Sequence, residues 1–163
     1  MSAFTPKIKT IPAIKLIGKH MAMSLAEDRT KMLWKNFMPG RNLISNKVSD
    51  DLFSVRVYGG DFDANIDNPS LYFKKWAAVE VKDLDNVPEG MGTIILEKGL
   101  YAVFHYTGPS TDPSIYEYIF TEWLPNSAYK IDNRPFFEVM GEKYKNNDPD
   151  SEEDIYIPVS LKD

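Results

Sequence analysis

The segment RPFFEVMGEKY, Arg134 to Tyr144, sets a single carboxylate, Glu138, among Phe136, Phe137, Val139 and Met140. Alternate side chains of a β-strand share a face. Phe136, Glu138 and Met140 therefore point one way, and Phe137 and Val139 the other. A glutamate on such a face either meets water or gives a ligand cavity its polar handle. In an aromatic groove poor in water an unpartnered carboxylate is costly, so a cationic ligand that restores a counter-charge is favoured. The same group could instead position or deprotonate a water. The plain structural alternative is a solvated carboxylate, or one paired with Arg134 or Arg56.

Other chemistries find little support. The chain has no cysteine, which excludes disulfides, thiolate nucleophiles and cysteine-based metal sites. Its two histidines, His20 and His105, lack the spacing of a zinc site. No metal and no cofactor is expected, and there is no GxSxG elbow, phosphate-binding glycine loop or HExxH. GGDFDANID, Gly59 to Asp67, departs from the calcium-loop pattern and reads as an exposed connector. His105 reads as a surface or hydrogen-bonded residue rather than a catalyst.

A formal charge of −5 over 163 residues argues against generic nucleic-acid binding, which relies on neutralising phosphates. The charge is uneven: residues 1–47 hold nine Lys and Arg against Glu27 and Asp28. That basic third is a solvated face or, failing that, a docking patch for an acidic partner. With no long apolar run and no signal-peptide pattern, the expectation is one cytoplasmic domain over residues 1–163 with no membrane contact.

The elements that must position Glu138 follow from periodicity. A strand is expected from about Lys7 to Met21, with Pro12 marking an edge or a bulge. A helix from Leu25 to Phe37 should bury Leu25, Met32, Leu33 and Phe37 and stop at Pro39-Gly40. Two alternating strands come next, LFSVRVY (Leu52 to Tyr58) and WAAVEV (Trp76 to Val81). The second half repeats the order. An arm bends near Lys98-Gly99, and Asp112-Pro113 opens a helix with Ile115, Ile119 and Trp123 in one row and Tyr116, Phe120 and Leu124 in the next. Pro125 closes that helix, and the strands PFFEVMG and DIYIPV follow.

The chain thus reads as strand, helix, strand, strand, twice, with repeats at about residues 1–85 and 90–163. LFSVRVY lies on FFEVMGE with Phe53 over Phe137 and Ser54 over Glu138. The expected class is α+β, with two antiparallel sheets related by a pseudo-twofold axis and flanking a central ligand groove. Parity assigns Phe53, Val55, Val57, Phe137, Val139, Ile155, Ile157 and Val159 to the surfaces beneath the helices. Ser54, Arg56, Tyr58, Phe136, Glu138, Met140 and Tyr156 then face the groove. Trp76 and small Ala78 are expected in its wall, Tyr106 at its rim, and Tyr156 is expected to stack on a ligand and hydrogen-bond Glu138.

GLYAVFHYTGP (Gly99 to Pro109), EWLPNSAY (Glu122 to Tyr129), RPFFEVM (Arg134 to Met140) and EEDIYIPV (Glu152 to Val159), together with FKKWAAVEV (Phe73 to Val81), resemble the gyrase-inhibitor-like, or AraC-type effector-binding, domain. The resemblance implies the duplicated fold, an aromatic groove for amphipathic aromatic or cationic small molecules, and a ligand-facing glutamate and tyrosine at Glu138 and Tyr156. It implies no direct DNA binding, because the recognisable module starts almost at residue 1. The expected activity is reversible small-molecule binding in drug or toxin sensing or sequestration. The alternatives are hydrolysis of cyclopropane-containing electrophiles with Glu138 as the catalytic group, or binding and inhibition of gyrase; a separate transcription regulator is a further candidate partner.

Overall fold

The computed structural model describes residues 5–59, 68–109, 112–145 and 148–163. GGDFDANID therefore lies, except for Gly59, outside the described residues. The first arm is two strands, β1 (Lys7–Ile11) and β2 (Ile14–Met23), broken by Pro12-Ala13. Helix α1 (Thr30–Phe37) is followed by a 3-10 turn (Met38–Leu43) and then by β3 (Lys47–Val57) and β4 (Phe73–Val81). The second arm is β5 (Gly92–Leu96) and β6 (Gly99–Thr107). Its helix begins as α2 (Ser114–Tyr118), widens into a π-helical turn (Ile119–Trp123) and ends as α3 (Leu124–Asn126). Three strands close the chain: β7 (Tyr129–Ile131), β8 (Phe136–Met140) and β9 (Glu152–Leu161).

The α+β class is as expected, but the strands form one antiparallel sheet rather than two. Its order is β1-β6-β9-β8-β3-β4-β2-β5, with β7 added to β9. The halves are welded through β3 and β8, where Phe53 faces Val139, Ser54 faces Glu138 and Val55 faces Phe137. Antiparallel pairing of two like strands puts equivalent positions opposite each other only at the midpoint, and here these are Ser54 and Glu138. The arms are exchanged: β1 of the first half pairs with β6, and β5 of the second pairs with β2.

This exchange forces the sheet to curl. β1 and β2 lie six places apart in the order, a span of about 29 Å in a flat sheet at the usual strand spacing. Only Pro12 and Ala13 separate them, a linker that reaches about 11 Å at most. Curling turns one face inward, where Leu16, Phe53, Val55, Trp76, Ala78, Leu96, Tyr101, Val103 and Phe137 form an apolar interior. The helices lie outside. Phe73, Ala77 and Val79 pack with Leu33 and Phe37 of α1, and Phe104, Phe136, Ile155, Ile157 and Val159 pack with Ile115 and Ile119.

The parity assignment is thereby corrected in part. Ile155, Ile157 and Val159 lie beneath a helix as expected, but Phe53, Val55, Val57, Phe137 and Val139 face the interior of the curl. Alternation separates two sets of side chains without saying which set the helices cover, and on these strands both sets are largely apolar. The first helix is also shorter than expected, leaving Leu25 outside it and 52% exposed, and within the helix Met32 is on the outer face, 54% exposed. Residues before Thr30 instead form a loop tied down by the Ala26 amide, which donates to the Pro69 carbonyl at 2.9 Å.

Candidate functional site

Four neighbouring strands, β4, β3, β8 and β9, build the floor between the two helices. Directly paired residues share a face, and the registers Lys75/Arg56, Arg56/Phe136, Ser54/Glu138 and Glu138/Ile155 put all of these side chains on the helix side. Glu153 joins them two residues before Ile155. Lys75, Glu138 and Glu153 each arrive from a strand whose other residues on that face are apolar, and Arg56 from one that offers Leu52 and Ser54, so folding these rows carries the charged groups inward with them.

Glu138 is half-buried, and its Oε2 accepts a hydrogen bond of 2.5 Å from the Tyr116 hydroxyl of α2. Its partner is thus neither Arg134 nor solvent alone. Arg134 is occupied elsewhere, donating to Asp132 Oδ2 at 2.7 Å and to the Leu100 carbonyl at 2.7 Å, with its guanidinium 4.6 Å from the Tyr101 ring centre. Burial and the Glu138 carboxylate raise the Tyr116 hydroxyl well above the usual phenol range, so it stays protonated and remains a donor. The Arg56 guanidinium lies over Tyr116 at 5.1 Å and over Phe73 at 5.5 Å. Burial works against its charge, but Tyr116, Glu138 and Tyr58 outweigh that and hold it charged.

Lys75 and Glu153 are 8% and 7% exposed. The Lys75 ammonium donates to Thr30 Oγ1 at 3.0 Å, and the Thr30 hydroxyl donates to Asp28 Oδ1 at 2.5 Å, which pins the start of α1 to β4. Burial, with Arg56 adding repulsion, lowers Lys75 to about 8. Burial, with Glu138 adding repulsion, raises Glu153 to about 8. Around these charges stand Tyr58, tilted at 55° against Phe136 at 5.5 Å, and Phe120, whose ring lies 5.9 Å from Phe136 and 6.4 Å from Tyr116. Aromatic rings thus border a set of charged side chains on the stretch of sheet between the two helices, and this is the candidate cleft.

The expected site residues divide between the two faces. Glu138, Arg56, Phe136, Met140 and Tyr106 are on the helix side. Tyr106 is buried there, its hydroxyl donating to the Pro109 carbonyl at 2.7 Å. Trp76, Ala78 and Tyr156 are on the interior. The register pairs Tyr156 with Phe137, and their rings stack 4.4 Å apart at 10°. Because neighbouring residues point to opposite faces, the expected Tyr156–Glu138 hydrogen bond does not form; Tyr116 takes that place. Ala78 lies opposite Gly18, which pairs with Gly92, and the Trp76 indole sits against Gly92, where an added Cβ would come within 3.2 Å of it. This row of small residues makes room for the indole.

Trp123 packs edge-on against Phe104 at 5.3 Å, as a core residue does. His105 is at the surface, bonded to Asp154 Oδ1 and Glu152 Oε1 at 2.8 Å each, and these bonds raise its pKa. Sequence reading missed Tyr116, Lys75 and Glu153 as site residues. Lys75 shares parity with Phe73, Ala77 and Val79, and Glu153 with Ile155 and Ile157, the same charge-in-an-apolar-row signal that marks Glu138.

The described residues contain no group of three or more His, Cys, Asp and Glu arranged to hold a metal, and no described helix is long and apolar enough to cross a membrane. Residues 7–159 match the model of the integron-associated effector-binding proteins. The chain belongs to that family. No curated protein sequence matches it. Among solved structures, SAV2435 bound to tetraphenylphosphonium is 15% identical with a TM-score of 0.71, over 96% of this chain and 94% of that one. The integron cassette protein VCH_CASS2 of the Vibrio cholerae mobile metagenome is 17% identical with a TM-score of 0.66, over 96% and 97%. A hydrolase encoded by lin2189 of Listeria innocua is 10% identical with a TM-score of 0.58, over 95% and 91%. At these identities the likeness is one of fold, and it agrees with the gyrase-inhibitor-like, effector-binding resemblance of the sequence.

Proposed function

We propose that the protein reversibly binds a hydrophobic aromatic small molecule carrying a positive charge in the cleft between the two helices, with Glu138 as the charge-selecting group. The observation that carries this reading is the placement of Glu138: half-buried on the cleft floor, held at one oxygen by Tyr116 and bordered by the rings of Tyr58, Phe120 and Phe136. Aromatic faces attract flat cations, and burying them supplies affinity without directional demands. Arg56 over Tyr116 and Phe73 illustrates the contact the cleft favours. Membership of an effector-binding family and a structural relative that binds a lipophilic cation support the same reading.

The interior is the weaker candidate, since Trp76 and Ala78 there are already packed. A second reading, favoured by the structural relative described as a hydrolase, has Glu138 activate a water against an electrophilic ring. Mass spectrometry of wild type and Glu138→Gln with planar aromatic cations and cyclopropane-bearing alkylators separates the two. Unchanged ligand whose retention weakens in the variant is the expected result. A water-adduct product that vanishes in the variant would replace binding by hydrolysis.

A further inference from the structure

The charges on the cleft floor are sorted by sign along the β3–β8 seam. Arg56 and Lys75 come from β3 and β4, and Glu138 and Glu153 from β8 and β9. They share one face and much of one space, yet no nitrogen of the first pair lies within 4.0 Å of an oxygen of the second. Each charge is met by something weaker than an ion pair. Arg56 has aromatic faces and Tyr58, Lys75 has the Thr30 hydroxyl, and Glu138 has the Tyr116 hydroxyl. The Glu153 carboxylate, in a residue 93% buried by its 7% exposure, has no hydrogen bond or ion pair to a described residue.

Buried charges kept apart cost more than charges in contact, so a sequence that keeps Arg56, Lys75 and Glu138 out of ion pairs on one floor, with the ionisable Glu153 beside them, has a use for their free valences. Those valences have a direction. A guanidinium lying over rings keeps its N–H donors along its edge, where those not taken by Tyr58 can meet an anion in plane, and an ammonium with one hydroxyl partner has two further donors. Both are on the β3–β4 side. The acceptor oxygens of Glu138 and Glu153 are on the β8–β9 side. A ligand with only a positive charge meets Glu138 but also two fixed cations. A ligand with only a negative charge meets Arg56 and Lys75 but also Glu138.

We propose that the cleft is built for a zwitterionic aromatic molecule, its anionic group on the edge of Arg56 and beside Lys75, its cationic group between Glu138 and Glu153, and its ring against Tyr116 and Phe120. This deepens, and rests on, the reading of the cleft as the ligand site. Asp28, which reaches Lys75 through Thr30, and Tyr58, which hydrogen-bonds Arg56, complete the charged and titratable groups facing it. Glu153 is the group that answers ligand charge: a cation beside it favours its ionised form, so binding releases a proton into buffer near neutral pH.

The test uses three matched probes against the full chain: a naphthalene with an aminomethyl group at one end and a carboxylate at the other, its methyl ester, and its N-acetyl derivative. Calorimetric titration is expected to find the zwitterion about tenfold tighter than either singly charged probe, as one added charge-assisted contact provides. Arg56→Met should bring the acid and ester level, and Glu138→Gln should bring the amine and its N-acetyl derivative level. The wild-type ranking decides without the variants. If the ester binds as tightly as the acid or more tightly, the zwitterion proposal is overturned while the ligand cleft stands. If none of the three binds, both fall.

Discussion

The two faces of the sheet at the β3–β8 seam are one residue apart in sequence and opposite in chemistry. On the interior, Phe137 stacks on Tyr156 at 4.4 Å and meets Phe53 and Tyr101 in a closed apolar packing. On the helix side, Glu138 shares its surface with Arg56, Lys75 and Glu153 and with half-buried aromatic rings. The first face is filled by the curl of the sheet, which folds apolar strands over each other. The second is covered by helix side chains and, between α1 and α2, by the rings of Tyr58, Phe73, Phe120 and Phe136 with the charged groups among them. Both faces hold buried apolar clusters, but of these two faces of the seam the helix side alone carries the buried Lys75 and Glu153 and the Tyr116–Glu138 hydrogen bond.

That division is broken most severely by Phe137→Ala. Phe137 is 2% exposed, and truncation should cost about 3–5 kcal/mol of stability in denaturant unfolding, the usual range for a buried aromatic in a packed core. A cost below about 1 kcal/mol would mean that the interior is not closed.

Tyr116→Phe acts on the other face with a smaller effect. It removes one donor from a carboxylate, for which about 1.5–3 kcal/mol is typical. Weaker binding of aromatic cations should accompany it, whereas Phe137→Ala should leave ligand contacts unaltered in any protein that remains folded. Equal stability of Tyr116→Phe and wild type would remove Tyr116 as the anchor of Glu138.

The pH dependence sharpens the comparison further, because the helix side carries two buried groups moved to about 8 from opposite sides, Glu153 and Lys75. Glu153, raised from 4.5 to about 8, contributes stability below its unfolded pKa that is lost as pH rises toward 8. Lys75, lowered from 10.5 to about 8, has the opposite sign: its contribution is full above its unfolded pKa and lost as pH falls toward 8. Their sum is a stability minimum near pH 8, read from midpoint denaturant concentrations across pH. Glu153→Gln should flatten the acid side of that minimum and leave the alkaline side. A profile unchanged by the substitution would place the titration elsewhere.

Much of this was legible in the sequence. Alternation in LFSVRVY and FFEVM located the two central strands, but laying Ser54 on Glu138 matched the two repeats without predicting that these residues pair across β3 and β8. The π-helical widening at Ile119–Trp123 was not legible, although both apolar rows of that helix were, and both pack on the sheet. The face carrying the helices could not be read from parity. Phe137 and Phe136 are equally apolar, and only the two-residue connections at Pro12-Ala13 and Glu97-Lys98, read together with the exchanged pairing of the arms, turn one row inward. For the same reason Tyr156 was expected beside Glu138, and Lys75 and Glu153 were not singled out.

The central claim, that ligand meets the helix-side cleft at Glu138 and not the interior at Tyr156, is tested most directly by calorimetric titration with tetraphenylphosphonium. Wild type, Glu138→Gln and Tyr156→Phe suffice. The account predicts a loss of about tenfold or more in affinity for Glu138→Gln, as expected when a carboxylate facing a cation in a partly desolvated site is neutralised, and a change below about twofold for Tyr156→Phe. Full affinity in Glu138→Gln together with a large loss in Tyr156→Phe would put the ligand inside the curl and contradict it.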